Sequence, residues 1–549
     1  MTTISGGHLL VKSLRALGAS KCFGVPGESY LDVLDGLHDT QGELDFVLCR
    51  NEGGAAFMAE AYGKLTGQPG ICMVTRGPGA TNASIGVHTA MQNSTPLILF
   101  VGQVGTDQQE REAFQEVNYR AFYGLVAKWV VEIDDANRIP ELLSRAWSTA
   151  LSGRPGPVVV ALPENMLTSK SDVQPCKLIR IPEPAPGDEN IVEIKQLLTR
   201  AQKPLIIIGG GGWKTHGREA IQQFAEKNGL PVAAAFRFND LVDNHSNNYV
   251  GEAGVGMTPQ LQAIINAADL ILAVGIRFGE MTTGAYTLFG VPYSSKTIIH
   301  MHASDRELGK VIAADLPIHA GPNNSAHSLA QLSLDTNWQS WLSESRESYL
   351  AAFDAPVQPG NVNMVAVMEY LRTRLPKDAI VTNGAGNFAV WPNKFLQFQA
   401  DQRLLAPQSG AMGYGVPAAV AAKIVAPDKL VLCFAGDGDF QMNCQELGTA
   451  MQADAQPIIL ILNNGSYGTI RMHQEKHYPD RVTATNLANP DFVTLAKAYG
   501  FHAETVSITE QFEAAFERAV ASKTGAVLEL KISIDAITPR QTLSQIRNA

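Results

Sequence analysis

The chain has 549 residues, of which 45% are hydrophobic and 17% are charged, and its formal net charge is −10 at pH 7. This length exceeds what one hydrophobic core supports, and the composition excludes a disordered chain, so we expect a globular protein of about three domains. The mild charge and the absence of a basic block argue against nucleic acid or an anionic membrane surface as partners. The apolar runs are too short to cross a bilayer and no secretory signal is recognisable, which predicts a cytoplasmic protein that acts on small molecules.

The six cysteines have no CxxC spacing, and four of them lie in apolar, strand-like stretches. A free cysteine in such a stretch usually behaves as a small hydrophobic residue. We therefore expect neither disulfides nor a zinc site.

Short apolar runs alternate with amphipathic stretches along the whole chain. This pattern predicts an α/β protein with three doubly wound parallel-sheet domains, over residues 1–165, 190–335 and 360–549. The Pro-rich stretches at 181–190 and 354–361 suit extended linkers. Because ligands of open α/β sheets bind beyond the carboxyl ends of the strands, the turns that follow the strands are where chemistry is expected.

In the first domain, a predicted strand from Leu44 to Cys49 is followed by Glu52 and then by a small-residue helix from Ala55 to Thr66. A carboxylate between a strand end and a helix start can stabilise the helix through its dipole, or it can serve an active site. The next predicted strand ends in the turn TRGPGATN, from Thr75 to Asn82. Both turns are candidates for a functional site.

In the middle domain, the run IIIGGGG from Ile206 to Gly212 is similar to a dinucleotide-binding loop. However, Arg237, rather than an acidic residue that could bind a ribose, follows the next predicted strand. The sequence therefore argues against an NAD-binding dehydrogenase.

In the third domain, a strand from Leu430 to Ala435 precedes Gly436-Asp437-Gly438-Asp439, and a second strand from Pro457 to Leu462 precedes Asn463-Asn464-Gly465-Ser466. A single Gly-Asp-Gly turn is often no more than a tight turn. Two such turns after successive parallel strands bring a carboxylate and a carboxamide to one edge, beside glycines that let backbone approach an oxyanion. That combination indicates a Mg2+ ion bridging a diphosphate, with the start of a helix near Gln441 directed at the phosphates.

These turns resemble those of thiamine-diphosphate-dependent enzymes, and the acetolactate synthase family in particular. The resemblance extends from Gly6 to about Ser544 and is most specific in the first and third domains. It implies that the three domains are a pyrimidine-binding domain, a central Rossmann-like domain and a diphosphate-binding domain.

The resemblance also implies the roles of individual residues. Glu52 would be the catalytic residue that hydrogen-bonds the aminopyrimidine of the cofactor, which favours the imino tautomer whose nitrogen removes the C2 proton. Asp437, the Asn464 side chain and the Ser466 carbonyl would ligate Mg2+, and Met412 would keep the cofactor bent. The cofactor-binding residues implied in this way are Gly27, Pro78, Asn82, Gly384, Gly386, Asn387, Phe388, Gly410, Met412, Gly436, Asp437, Gly438, Asp439, Asn464, Ser466, Tyr467 and Gly468.

The sequence departs from the family around the substrate. Asn51 and Gly53 flank Glu52 where acetolactate synthases usually have His and Gln, and an Asn at the first position is reminiscent of pyruvate decarboxylases. The segment from Ala113 to Glu116, in contrast, resembles the FQE segment of the synthases. Glu28 either acts as an acid or base or caps the next helix, and His473 either faces the substrate or lies on a charged helix face with His477. The residues assigned to the substrate pocket are Glu28, Ser29, Phe114, Gln115, Thr469 and His473.

The resemblance favours a carboligase that decarboxylates a 2-keto acid such as pyruvate and adds the carbanion to a second carbonyl. A thiamine-dependent decarboxylase or aldehyde lyase is the alternative within enzymes, and a non-catalytic regulatory homologue is the alternative of another class. Because Glu52 and Asp437 come from different subunits in this family, the resemblance implies a dimer or tetramer. Some members bind FAD in the central domain, but the segment from Phe236 to Pro259 departs from the flavin-contacting pattern, so we expect no FAD.

Overall fold

The computed structural model describes residues 3–549, and their contacts divide the chain into two compact units. The first unit runs as far as Pro182 and also includes Gly413–Asp428 and Gln441–Pro457. The second unit comprises Glu183–Met412, Lys429–Phe440 and Ile458–Ala549. Two segments of the predicted third domain thus pack with the first unit.

The first unit is built on a six-stranded parallel sheet with the order β3-β2-β4-β5-β7-β6. Its central strands β5 and β7 are buried along their whole length, as expected for a parallel sheet covered on both faces. A short antiparallel pair, β1 with β8, joins the two ends of this part of the chain. The strands are β1 (Ile4–Ser5), β2 (Lys21–Gly24), β3 (Asp45–Leu48), β4 (Gly70–Val74), β5 (Leu97–Gln103), β6 (Trp129–Glu132), β7 (Pro157–Pro163) and β8 (Lys170–Ser171).

The helix Glu52–Thr66 lies at the centre of the first unit. Gly and Ala dominate its sequence, so neighbouring helices approach closely, and it packs against the helices Gly77–Asn93 and Gly415–Val425. A Cβ on Gly86 would lie 2.3 Å from the Ala56 Cβ. The helices of this unit are Gly6–Ala16, Leu31–His38, Glu52–Thr66, Gly77–Asn93, Tyr119–Tyr123, Ile139–Leu151, Glu164–Thr168, Gly415–Val425 and Leu447–Gln452, with 3-10 turns at Glu28–Tyr30, Ala136–Arg138 and Cys444–Glu446.

The second unit contains two six-stranded parallel sheets. The first has the order β11-β10-β9-β12-β13-β14, which is that of a Rossmann fold, and the second has the order β16-β15-β17-β18-β20-β19. The strands are β9 (Pro204–Ile208), β10 (Val232–Ala235), β11 (Tyr249–Ala253), β12 (Leu270–Val274), β13 (Thr297–His302), β14 (Leu316–His319), β15 (Ile380–Asn383), β16 (Arg403–Leu405), β17 (Val431–Gly436), β18 (Ile458–Asn463), β19 (His502–Val506) and β20 (Ala526–Lys531).

Helices flank both sheets of the second unit. They are Asp188–Arg200, Thr215–Asn228, Pro259–Ala267, Pro322–Ala330, Gln339–Ala351, Met364–Arg374, Val390–Phe395, Asp437–Gln441, Gly468–His477, Phe492–Ala498, Phe512–Ala521 and Leu543–Arg547, with 3-10 turns at Asn239–Leu241, Asp305–Glu307, Asn387–Ala389 and Thr509–Gln511.

The predicted fold class is confirmed, since three parallel sheets with flanking helices are present. The sheet of the first unit and the sheet formed by β15–β20 also share one strand order. One local prediction was wrong: a helix does not start near Gln441 but begins at Asp437 and ends at Gln441. Asp437 is therefore itself the first helical residue after β17.

Within residues 3–549, no helix is both long and apolar enough to cross a membrane. Five of the cysteines are buried and Cys444 is half-buried, in line with their expected role as small core residues.

The C-terminal helix Leu543–Arg547 is attached to the helix Gly468–His477 through the fully buried Glu475. The Arg547 guanidinium donates to both carboxylate oxygens of Glu475, over 2.7 and 2.9 Å, and Arg471 and the Asp480 backbone N–H donate as well. These donors, Arg547 foremost, lower the pKa of Glu475 to about 2. Because this pKa lies below the unfolded value of about 4.3, Glu475 stabilises the fold above that pH, and the contribution is lost as the pH falls toward 2.

We therefore expect Glu475→Gln to lower the free energy of unfolding by about 1–3 kcal/mol at neutral pH, because charged hydrogen bonds to two arginines are lost. The difference from the wild type should shrink below about pH 4. Urea denaturation at a series of pH values measures both effects. The exposed Glu510 provides the matched control, and its replacement by Gln should change the value by less than about 0.5 kcal/mol.

Candidate active site

Two groups of predicted site residues are present, one in each unit. The first surrounds Glu52, which is the first residue of the helix Glu52–Thr66. Asn82, on the helix Gly77–Asn93, donates its side-chain amide to Glu52 Oε2 over 2.9 Å. A Cβ on Gly79 would lie 3.5 Å from Glu52 Oε1. The GPGATN turn and the glutamate are thus in direct contact.

The chain on either side of Glu52 is tightly held. Asn51 caps the helix by accepting the Gly53 N–H with its side-chain oxygen over 2.8 Å. The unusual Asn before the glutamate therefore has a local structural role, because Asn is among the best N-cap residues. Glu52 itself is half-buried, so a ligand can reach it.

The predicted substrate segment Phe114-Gln115 lies beside the start of the helix Gly77–Asn93. The Phe114 carbonyl accepts from Arg76 Nη1 over 3.1 Å, and the Gln115 carbonyl accepts from the Gly77 N–H over 3.0 Å. The Phe114 ring is 73% exposed and Gln115 has a φ of 65°. The backbone of this segment is therefore fixed close to the Glu52 group while the Phe114 side chain remains accessible.

The turn at Gly27 also packs onto this group. A Cβ on Gly27 would lie 2.6 Å from the Thr75 Cβ, and Ser29 Oγ lies 3.1 Å from Thr75 Oγ1. Ser29 is buried, whereas Glu28 is exposed in the first turn of the 3-10 helix Glu28–Tyr30. Of the two residues predicted for the substrate pocket, only Glu28 presents its side chain to solvent.

The second group lies at the carboxyl ends of β15, β17 and β18. β17 is paired with both neighbours in parallel register, so the three strands end at one edge. Asp437 directly follows β17, and Asn464 directly follows β18. The predicted metal ligands therefore share one edge of the sheet, as the sequence predicts.

Asp437 is oriented by groups on the neighbouring turn. Its Oδ2 accepts from the Gly465 N–H over 2.9 Å and from Asn489 Nδ2 over 2.7 Å. Burial raises the pKa of Asp437, and the hydrogen bond from Asn489 opposes this effect. A cation bound at this edge would favour the ionised carboxylate.

Asn489 is a site residue that sequence reasoning missed. Besides Asp437, its side-chain amide contacts Asn463 Oδ1 over 3.0 Å, so it bridges the two turns. It follows a loop that returns to the sheet edge through a bridge between Ser466 and Asn486. No local pattern marks this residue, since its role arises only when the loop folds back.

Asn464 and Ser466 form a closed turn of their own. Asn464 Oδ1 accepts from the Ser466 N–H over 3.0 Å, and Ser466 Oγ donates to the Thr485 carbonyl over 2.9 Å. Asn463 is instead used structurally, since its amide donates to Glu529 on β20. Only the second asparagine of the pair is placed to act as a ligand.

The second diphosphate turn, after β15, is held by Asp439. Asp439 Oδ1 accepts from the Ala385 N–H over 3.1 Å, and a Cβ on Gly384 would lie only 2.0 Å from the same oxygen. Asp439 thus holds this turn in place and connects the turns after β15 and β17. Only a glycine at position 384 leaves space for the carboxylate.

Aromatic side chains close over the remaining glycines. The Phe388 ring lies over Gly436 and Gly386, where a Cβ would approach it to 2.7 Å in both cases. The Tyr467 ring lies over Gly438, where a Cβ would approach it to 2.6 Å. The turns after β15, β17 and β18 therefore pack closely around two aromatic rings, and we call this group the cradle.

Thr469 and Asn387 link the cradle to the helix that follows β18. The Thr469 hydroxyl accepts from the Asn387 N–H and donates to Asn387 Oδ1, both over 3.0 Å. Gly468 packs against the Asn464 side chain. The predicted residue His473 lies further along the same helix, where it is exposed and stacks on His477 with ring centroids 6.3 Å apart.

Gly410 and Met412 precede the point at which the chain passes from the second unit to the first. Gly410 has a φ of 67° and space around its Cα, and Met412 is half-buried. Both residues lie in the loop between β16 and the helix Gly415–Val425, where a ligand can reach them.

The second group fits a cofactor with a diphosphate tail. Its donor set consists of hard oxygen ligands, one carboxylate, one carboxamide and backbone carbonyls, which are those that Mg2+ shares with phosphate oxygens. The glycines at 384, 436 and 438 let the three turns pack closely, because a Cβ there would meet Asp439, Phe388 or Tyr467. The turns therefore present backbone at the strand ends, where ligands of open α/β sheets bind. Among residues 3–549, no group of three or more His, Cys, Asp or Glu side chains could hold a metal by itself, so the phosphate and water would have to complete the shell.

The chain is similar to known proteins in all three of its sheets. Three family descriptions match the chain: thiamine pyrophosphate enzyme, N-terminal TPP binding domain, over residues 4–122; the central domain of the same enzymes over 191–331; and their C-terminal TPP binding domain over 384–530. Together they include both the Glu52 group and the cradle.

Similar proteins align over almost the entire chain. The acetolactate synthase isozyme 2 large subunit of Escherichia coli (strain K12) is 31% identical over 97% of this chain and 96% of the relative. An acetolactate synthase of Arthrospira platensis is 31% identical over 97% and 95%, respectively. The acetolactate synthase large subunit of Corynebacterium glutamicum is 32% identical over 94% and 84%.

We expect Gly384→Ala to weaken binding of thiamine diphosphate in the presence of Mg2+ by about tenfold or more, because the added methyl displaces Asp439 from the Ala385 N–H. Titration followed by tryptophan fluorescence measures the affinity. Gly279→Ala is the matched control. Gly279 lies in the same unit as Gly384, and a Cβ there would meet no atom within 4 Å. Wild-type affinity in Gly384→Ala would show that this turn does not hold the diphosphate.

Proposed function

The chain belongs to the thiamine-pyrophosphate-dependent enzymes of the acetolactate synthase family, and we propose that it joins two carbonyl substrates with loss of CO2 from a 2-keto acid such as pyruvate. The observation that carries this proposal is the conjunction of Glu52, fixed at a helix start, with the glycine and aromatic cradle around Asp437 and Asn464. The domain limits 1–165, 190–335 and 360–549 are our proposed division into pyrimidine-binding, central and diphosphate-binding parts.

Thiamine diphosphate, when bound, supplies a carbon nucleophile that adds to a carbonyl group and so allows the adjacent carbon–carbon bond to break. In our proposal, Glu52 holds a hydrogen bond to the aminopyrimidine ring, and Asn82 keeps the Glu52 carboxylate oriented for it. Asp437, the Asn464 side chain and the Ser466 carbonyl ligate Mg2+. Gly384, Gly386, Gly436 and Gly438 admit the diphosphate, and Met412 supports the bent cofactor.

The substrate side of the proposal depends on Phe114 and Gln115. Their backbone is fixed near Glu52, and the Phe114 ring is exposed, so in our proposal it is free to cover a bound substrate and to limit access of water to it. Exclusion of water favours addition to a second carbonyl over protonation. Glu28, Thr469 and His473 are further proposed contacts of the substrate.

We also propose self-association into a dimer or tetramer. The first unit exposes the apolar side chains Ile85, Phe122 and Leu125, of which Leu125 is 97% exposed. Exposed apolar side chains of this kind support an interface.

The central sheet is proposed to be a scaffold without FAD. The start of the helix Thr215–Asn228 is capped from within the protein, because Asn323 Oδ1 accepts the Lys214 N–H over 2.8 Å. The Glu183 carboxylate accepts from the Asn323 N–H over 2.8 Å at the start of the helix Pro322–Ala330. It also accepts over 3.0 Å from the Asn323 side-chain amide, the group that binds the Lys214 N–H, so a negative charge lies one side chain away from the start of the helix Thr215–Asn228. Trp213 donates to the Gly209 carbonyl and so closes the glycine-rich loop. A dinucleotide diphosphate would need these N–H groups and would be repelled by the carboxylate.

Incubation of the purified protein with thiamine diphosphate, Mg2+ and pyruvate should yield acetolactate, identified by mass spectrometry. Glu52→Gln should lower the rate by on the order of 100-fold, because the carboxyl group assists proton transfer within the cofactor. The exposed Glu43 is the control, and Glu43→Gln should leave the rate unchanged. If acetaldehyde were the sole product, the enzyme would be a simple decarboxylase and the proposed ligation would be wrong. Wild-type activity in Glu52→Gln would refute the assignment of the catalytic residue.

The purified protein should show no absorbance in the flavin bands, and addition of FAD should not change its thermal stability. A ligand that binds the folded state would raise the melting temperature, so the absence of a shift reports absence of binding. Stoichiometric flavin in the purified protein would contradict the scaffold role of the central sheet.

A further inference from the structure

Glu446 is a fully buried glutamate that none of the roles above uses. It ends the 3-10 helix Cys444–Glu446 and belongs to the first unit. Its burial leaves no contact with solvent. A buried carboxylate is costly unless it is hydrogen-bonded, so its donors indicate what it does.

The donors to Glu446 are the backbone N–H groups that immediately precede Glu52. Glu446 Oε1 accepts from the Asn51 N–H over 2.9 Å, and both carboxylate oxygens accept from the Arg50 N–H over 3.2 Å. Because β3 ends at Leu48, these N–H groups lie beyond the strand and have no ladder partner. The carboxylate replaces the missing partners.

The opposite side of Glu446 is fixed as well. Thr449 Oγ1 donates to Glu446 Oε2 over 2.6 Å and also approaches the Leu48 carbonyl to 3.2 Å. Gly54 leaves the space that the carboxylate occupies, since a Cβ there would lie 2.6 Å from Glu446 Oε1. Burial raises the pKa of Glu446, and the hydrogen bonds from Thr449, Arg50 and Asn51 oppose this rise.

We propose that Glu446 is a positioning residue that holds the Arg50-Asn51 backbone and thereby fixes the Glu52 carboxylate for activation of the cofactor. The backbone is pinned before Glu52 by Glu446 and after Glu52 by the Asn51 side chain at the Gly53 N–H. A catalytic carboxylate needs this support on both sides, because small displacements lower the rate strongly. The inference rests on the proposed role of Glu52.

Glu60 provides a matched control on the same helix. It is also fully buried, and it accepts from Asn93 and Thr95 over 2.7 Å each and from Tyr414 over 2.5 Å. Its donors are side chains, and none of them belongs to the turn before Glu52. Glu60→Gln therefore imposes a comparable loss of buried hydrogen bonds without releasing that turn.

The first test uses the full-length protein without cofactor and measures hydrogen–deuterium exchange of the peptide that contains Arg50 and Asn51. Glu446→Gln should accelerate exchange of these amides by about tenfold or more, because the NH2 group that replaces one carboxylate oxygen cannot accept from the Arg50 N–H or from Thr449 and faces these donors with its own hydrogens. Glu60→Gln should leave them as slow as in the wild type. Unchanged exchange in Glu446→Gln overturns the proposal, whatever the activity of the enzyme.

The second test measures exchange of the C2 proton of thiamine diphosphate at saturating cofactor and Mg2+. Glu446→Gln should slow this exchange by about tenfold while leaving the cofactor affinity near the wild-type value, and Glu60→Gln should not slow it. Adding Glu446→Gln to Glu52→Gln should cause no further slowing, since the two residues act through one group. A further loss in the double variant would mean that Glu446 acts independently, and the proposal would be wrong.

If Glu446→Gln does not fold, Thr449→Val removes one donor to the carboxylate and should produce the same two effects at smaller magnitude. Should Glu52→Gln exchange the C2 proton at the wild-type rate, the proposed function fails. The amide exchange of Arg50 and Asn51 then still decides whether Glu446 holds the turn.

Discussion

The parallel pairing of β17 between β15 and β18 is the constraint on which the cradle depends. It brings three strand ends to one edge, so that Asp439 can hold the turn after β15 while Asp437 contacts the turn after β18. The separation of neighbouring strands, roughly 4.8 Å, is short enough for carboxylates to bridge adjacent turns. The glycines at 384, 436 and 438 follow from the same closeness, because each lies against a side chain from another turn.

A second feature of the fold is that the third predicted domain does not pack as one body. Its segments Gly413–Asp428 and Gln441–Pro457 belong to the first unit, where Tyr414 donates to Glu60 and Glu446 accepts from the turn before Glu52. Two buried glutamates, Glu60 and Glu446, therefore connect these segments to the helix Glu52–Thr66 and to the turn before it. The helix that starts with Glu52 is thus held by residues from a distant part of the sequence.

Our proposal that the central sheet is a scaffold depends on groups at its glycine-rich loop and not on its topology. Its strand order is that of a dinucleotide-binding fold, and a glycine-rich loop follows β9. At this loop, Asn323 Oδ1 accepts the Lys214 N–H that precedes the helix, and Trp213 donates to the Gly209 carbonyl. Because dinucleotide binding depends on a few groups at the loop, the strand order by itself does not decide whether a dinucleotide binds.

The sequence by itself determined the fold class, the three sheets and the principal candidates Glu52, Asp437 and Asn464, because these depend on local patterns: apolar strands, glycine turns and the residues that directly follow a strand. The tertiary structure decided what those patterns could not encode. Asn489 reaches Asp437 only because a loop folds back. The helix at Asp437 starts earlier than its sequence suggests, and Asp439 holds the turn after β15 through the Ala385 N–H. Glu446 meets the turn before Glu52 from a position far along the chain, and such long-range hydrogen bonds arise from packing, which no local pattern of residues specifies.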